Sequence, residues 1–175
     1  MAGHLNSIKD LAFSPLLGEG DSLATQGTAL YLASGSQDQN IRIWKVQQLQ
    51  NMDSVELKED DWKKYQTKTS FVIQVPKEPR FNVTLESVIV HHGEAVSSVE
   101  WRKTSENTPT LSDLVLLSSS FDFTVCVWQA DPETEAWHVQ STLGAMVGNK
   151  HAFFGAIFLS TPRQILAYTY GGAMH

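Results

Sequence analysis

The chain has 175 residues and a formal net charge of -6; at 42% hydrophobic and 18% charged it has the make-up of a globular protein. The acidic balance excludes a general attraction to phosphate backbones or anionic lipid, and the single cysteine, Cys126, excludes an intramolecular disulfide and a zinc site built on several cysteines. No apolar run approaches the roughly 20 residues that cross a bilayer, and the start Met-Ala-Gly-His lacks the layout of a secretory leader, so an intracellular location is expected.

Gly3-His4 opens a turn, and Ile8, Leu11 and Phe13 lead into Ser14-Pro15 as a short strand. Residues 16–28 are rich in Gly, Ser, Thr and Asp and read as a loop. Residues 29–36 and 41–46 read as two strands joined by Gln37-Asp38-Gln39-Asn40, whose side chains favour a tight turn. Residues 47–79 break the rhythm and read as an insertion. Trp62, Lys63, Lys64 and Tyr65 there are the centre of the chain's basic-aromatic cluster. Neighbouring acids (Glu56, Glu59, Asp60, Asp61) offset its charge, so a solvated loop competes with a partner or RNA contact.

Phe81–Val88 alternates as a strand, and His91-His92-Gly93-Glu94 is the next turn. Val96, Val99 and Trp101 then repeat Ile8, Leu11 and Phe13, before a loop at 102–112. Residues 113–119 and 124–128 repeat the earlier strand pair, and 136–143 is a plausible outer strand. Gly148-Asn149 stands where a Gly-His pair is due, followed by strands at 153–159 and 165–170.

The spacing fixes a repeat. Asp38 precedes Trp44 by six residues, as Asp122 precedes Trp128; His4 precedes Phe13 by nine, as His92 precedes Trp101. His4 and His92 are 88 residues apart, about twice the 40–45 residues of a propeller blade, and the insertion supplies most of the excess. His4, Ser34 and Asp38 contain the residue types of a hydrolase triad, but no Gly-x-Ser-x-Gly elbow is present. Their return as His92, Ser118 and Asp122 argues for a structural network. In it the carboxylate accepts from the imidazole, the imidazole meets the serine hydroxyl, and the indole N–H of Trp44 or Trp128 donates to that hydroxyl. Adjacent His91 and His92 would point to opposite faces of an extended segment, so no metal or other cofactor is expected. Cys126, between Val125 and Val127, reads as a packing residue. Trp137 is either a surface anchor or a cover for a neighbouring element.

Gly-His, Ser-x-x-x-Asp and a strand-ending Trp resemble the WD40-repeat family. In finer detail, Leu32–Trp44, Phe81–Glu94 and the stretch from Gly148-Asn149 to His175 resemble the family of WD40 subunits of the Elongator complex. The resemblance implies an all-β propeller of four-stranded antiparallel blades, here an incomplete arc of about two and a half to three. Residues 1–46 and 80–90 would form one blade with insertion 47–79, 91–144 a second, and 145–175 a truncated third, with Tyr168 at the serine position. It also implies a non-catalytic scaffold in the cytoplasm and nucleus, bound to other Elongator subunits that modify the tRNA wobble uridine, with links to transcription. Contact with tRNA would be indirect or weak, and neither a membrane nor a small-molecule substrate is implied. A generic WD40 adaptor of a ubiquitin ligase or signalling complex is the alternative. An open arc exposes blade faces and strand edges, so a fragment of a longer protein is expected.

Overall fold

A computed structural model describes residues 3–17, 29–49, 70–73, 80–104, 109–144, 151–160 and 164–169. The described residues form three antiparallel sheets, set side by side as an arc of a β-propeller. The first holds β1 (Ile8–Phe13), β2 (Ala29–Ser36), β3 (Asn40–Leu49), β4 (Ser70–Ile73) and β5 (Arg80–Val90), in the order β1-β2-β3-β5-β4. The second is β6 (Val96–Trp101), β7 (Val115–Ser120), β8 (Val125–Ala130) and β9 (Trp137–Leu143), in sequence order. The third is the hairpin of β10 (Phe153–Phe158) and β11 (Ile165–Thr169).

Two details depart from the sequence reading. β3 runs on to Leu49, and the polar stretch taken as insertion contains β4, which pairs along β5 as a fifth, outermost strand. β4, Ser-Phe-Val-Ile, is only four residues long, too short for alternation to mark it out from the polar stretch before it. In the third sheet Ala156 lies opposite Ala167, the place that Ser118 takes opposite Val99 and Ser34 takes opposite Leu11. Ala167, not Tyr168, therefore holds the serine position.

The tight turns explain the strand pairs. Gln39 and Phe123 sit at φ 71° and 70°, in the left-handed region, which lets β2 fold onto β3 and β7 onto β8. Asp38 and Asp122 secure these turns by accepting the backbone N–H two residues on, from Asn40 at 3.1 Å and Thr124 at 3.0 Å. The inner strand of each sheet carries an irregularity at the same place, between Ile8 and Asp10, Val96 and Ser98, and Phe153 and Gly155.

Alternation along the second sheet builds two cores. Leu114, Leu116, Cys126 and Trp128 join Val96, Val99 and Trp101 against Tyr31, Ala33, Ile41 and Ile43 of the first sheet. Their neighbours Val115, Leu117, Val125 and Val127 pack on Phe153, Ala156 and Ala167 of the third. Burial on both faces is why this stretch reads as an unbroken apolar run. Gly35 is required by that packing, since a Cβ there would come within 2.7 Å of Val96 Cγ1. Trp137 covers this core, with its ring edge-on to Trp101 at 5.4 Å between centroids.

Candidate functional site

Two hydrogen-bonded networks occupy equivalent places on the first two sheets. In the first, His4 Nδ1–H reaches both oxygens of Asp38 at 3.0 Å, and His4 Nε2 lies 2.8 Å from Ser34 Oγ. Trp44 Nε1–H donates to the same Ser34 Oγ at 3.2 Å. In the second, His92 Nδ1–H donates to Asp122 Oδ2 at 3.0 Å, His92 Nε2 lies 2.8 Å from Ser118 Oγ, and Trp128 Nε1–H donates to Ser118 Oγ at 2.8 Å. All eight residues named from the sequence spacing come together in these two groups of four.

Each network ties an opening turn to the hairpin turn and the two strands that flank it. The carboxylates also accept backbone N–H groups from the opening turns, Leu5 to Asp38 and Gly93 to Asp122, both at 2.8 Å. Burial of Asp122 works to raise its pKa, but hydrogen bonds from His92, Thr124 and the Gly93 N–H outweigh it and hold the carboxyl well below the usual range. Asp38 is lowered in the same way, burial being outweighed by the N–H groups of Leu5 and Asn40 and by His4. His91 adds to the second site, its ring lying edge-on to Trp128 at 5.2 Å between centroids.

These arrangements brace; they do not present a nucleophile. Ser34 and Ser118 are buried, and each hydroxyl oxygen already receives an indole N–H. Burial also raises the pKa of the Cys126 thiol, on the same strand as Trp128, which favours its inert neutral form. Among the described residues no group of three or more His, Cys, Asp or Glu side chains could hold a metal ion. Trp62, Lys63, Lys64 and Tyr65, the possible partner contact, lie outside the described residues.

A second set of polar residues, not singled out in the sequence, fastens one sheet to the next. Val99 N–H donates to Asp10 Oδ2 at 3.0 Å, and Trp101 Nε1–H donates to the Ala12 carbonyl at 2.9 Å. Across the next boundary, Ala156 N–H donates to Ser98 Oγ at 3.2 Å and Phe158 N–H to Glu100 at 2.7 Å. Ser97 Oγ–H completes this seam by donating to the Phe153 carbonyl at 2.7 Å. Ser36 and Ser120 were missed too; each closes its turn by donating to a carbonyl of the opening loop and accepting the N–H of Asp38 or Asp122 at 3.1 Å. The signal was present: Asp10 and Ser98 both fall six residues after a network histidine.

Comparison with known proteins agrees with this geometry. Residues 21–45 and 83–129 match the family described as WD domain, G-beta repeat. Over 184 aligned residues the chain is 33% identical to Elongator complex protein 2 of Drosophila melanogaster, covering all of this chain and 21% of that protein. It is 34% identical to the Homo sapiens protein of the same name, over 87% of this chain and 18% of that protein. Against the one from Saccharomyces cerevisiae the identity is 27%, over 98% of this chain and 21% of that protein. The chain thus spans about a fifth of the length of the curated relatives it matches.

Proposed function

The chain belongs to the WD40-repeat family, among the Elongator complex protein 2 sequences, and on that premise we propose that it serves as a rigid, non-catalytic scaffold inside the Elongator complex. The observation that carries this reading is the 33% identity to a protein of that name along the whole of this chain. The repeated braces and the seams between sheets support it, because they spend the chain's buried polar groups on holding sheets in place. The partners are other subunits of the complex. Through them the chain supports modification of the tRNA wobble uridine, with a link to transcription elongation and with tRNA contacted at most indirectly. The site of action is the cytoplasm and the nucleus.

The test is recovery of the tagged natural protein that carries this chain. Co-purification of the other Elongator subunits is the expected result. Recovery with a ubiquitin ligase or a signalling assembly instead would replace this reading with that of a general WD40 adaptor. The segment Trp62-Lys63-Lys64-Tyr65 is the proposed partner contact, and reversing the charge of Lys63 and Lys64 is expected to weaken assembly; unchanged assembly removes that contact from the proposal.

A further inference from the structure

The seam between the first two sheets ends, at its outer rim, in an acidic and aromatic place whose two walls both belong to the described residues. Tyr31 stands on one wall, packed in the same core as Trp101 and Trp137. It is only 5% exposed, and among the described residues its hydroxyl has no hydrogen-bond partner. Burial, then the carboxylates of Glu86 and Glu135, push its pKa up to about 12, so both acids lie within electrostatic reach of that hydroxyl. Glu86 comes from β5 of the first sheet and Glu135 from the turn before β9 of the second, one from each side of the seam. Neither carboxylate has a hydrogen bond or an ion pair among the described residues, and Lys45, opposite Tyr31 on β3, is paired with neither.

The repeat shows that the fold does not require these groups. Glu86 is the extra residue of an irregularity in β5, between Leu85 and Ser87, which pair with Trp44 and Ile43. β9 has the same irregularity, and there the extra residue is the uncharged Gln140, between Val139 and Ser141. At the place of Tyr31, opposite Lys45, the second sheet has Val115, opposite Gln129. A phenol and a carboxylate thus stand where a valine and an amide serve the next sheet. Glu135 is fixed from its own side: its backbone sits at φ 57°, in the left-handed region, and its N–H donates to the Asp131 carbonyl at 2.9 Å.

We propose that this rim takes a guanidinium group, the arginine side chain of a partner protein, between Glu86 and Glu135. The planar fork of N–H donors can serve both carboxylates and the Tyr31 oxygen together. Trp137, half-buried in the same cluster, adds aromatic surface for cation–π attraction. The contact depends on the seam alone and stands or falls apart from membership of the Elongator complex.

Titration of the natural protein that carries this chain with acetyl-Gly-Arg-Gly-amide, read by line broadening of the probe in NMR spectra, tests it. The arginine probe is expected to bind. Its citrulline analogue, of the same shape without the charge, is expected not to bind, and the lysine analogue to bind more weakly. Glu86→Gln and Glu135→Gln are each expected to weaken binding about two- to fivefold, the range of an exposed ion pair. Both side chains are exposed, so these variants keep the fold. Tyr31→Phe keeps the buried ring and should weaken binding as well. Glu133→Gln, in the same turn as Glu135, and Lys45→Gln should leave it unchanged. Failure of the natural protein to bind the arginine probe overturns the proposal, because the place is then filled from within. It is overturned equally by citrulline or lysine probes that bind as well as arginine, by wild-type affinity in Glu86→Gln and Glu135→Gln, by an equal loss in Glu133→Gln, and by tighter binding in Lys45→Gln, which would make Lys45 the resident cation.

Discussion

The carboxylate of Asp10 holds the inner strand of the second sheet, accepting the N–H of Val99 at 3.0 Å through one oxygen while the other accepts the N–H of Leu11 at 2.9 Å. Replacing it with alanine strips both donors of their acceptor. Asp10→Ala is expected to destabilise the chain by about 1–3 kcal/mol. Asp10→Asn keeps one acceptor oxygen and should recover part of that loss. Urea unfolding of the three proteins measures it, and an alanine variant as stable as wild type would show that the seam carries no weight.

Ser118 accepts from Trp128 and meets His92, both at 2.8 Å, in a fully buried place. Ser118→Ala leaves the indole N–H without its acceptor, at an expected cost of about 1–3 kcal/mol. Adding Trp128→Phe removes the stranded donor as well. The double variant should then lose less than the sum of the two singles, and strict additivity would argue against the network.

Acidification should release the turns. Asp38 and Asp122 both have folded-state pKa values below the ordinary carboxylate value of 3.8. Just below that value the folded chain binds fewer protons than the unfolded one. The stability these carboxylates contribute is therefore present above about pH 4 and is lost as pH falls through their folded values. Asp122→Asn should flatten that part of the stability profile. A profile with the same acid slope in the variant would assign the loss to other groups.

Gly35 sets how closely the first two sheets approach. Gly35→Ala places a Cβ 2.7 Å from Val96 Cγ1 and should destabilise by about 1–3 kcal/mol. Val96→Ala frees the space, so the pair Gly35→Ala and Val96→Ala should be less damaging than the two effects added. Thermal melts of the singles and the double decide it.

The braces were legible because their chemistry is constant. Histidine, serine, aspartate and tryptophan return at fixed spacing, and only those side chains complete the same chain of donors and acceptors. The seams were not, because their position accepts substitutes. Asp10 and Ser98 do the same work with different side chains, and no residue-type pattern joins them. β4 escaped because an edge strand is defined by backbone pairing, which composition does not report. The misplaced serine position has a geometric cause: the connection from β10 to β11 is shorter than those from β1 to β2 and from β6 to β7, so no fixed count along the chain reaches the serine position, whereas pairing across β10 selects Ala167.

That one missing hydroxyl gives the arc a direction. The first two hairpins are tied to their opening turns through the hydroxyls of Ser34 and Ser118, and Ala167 at that place in the third carries none. Among the described residues, Ser97, Ser98, Glu100 and the core around Leu117 fasten β10 and β11 to the second sheet. Opening events should therefore begin at this end. Amide hydrogens of β11 should exchange with solvent well before those of β7, and the second sheet should keep its protection after the third has surrendered its own.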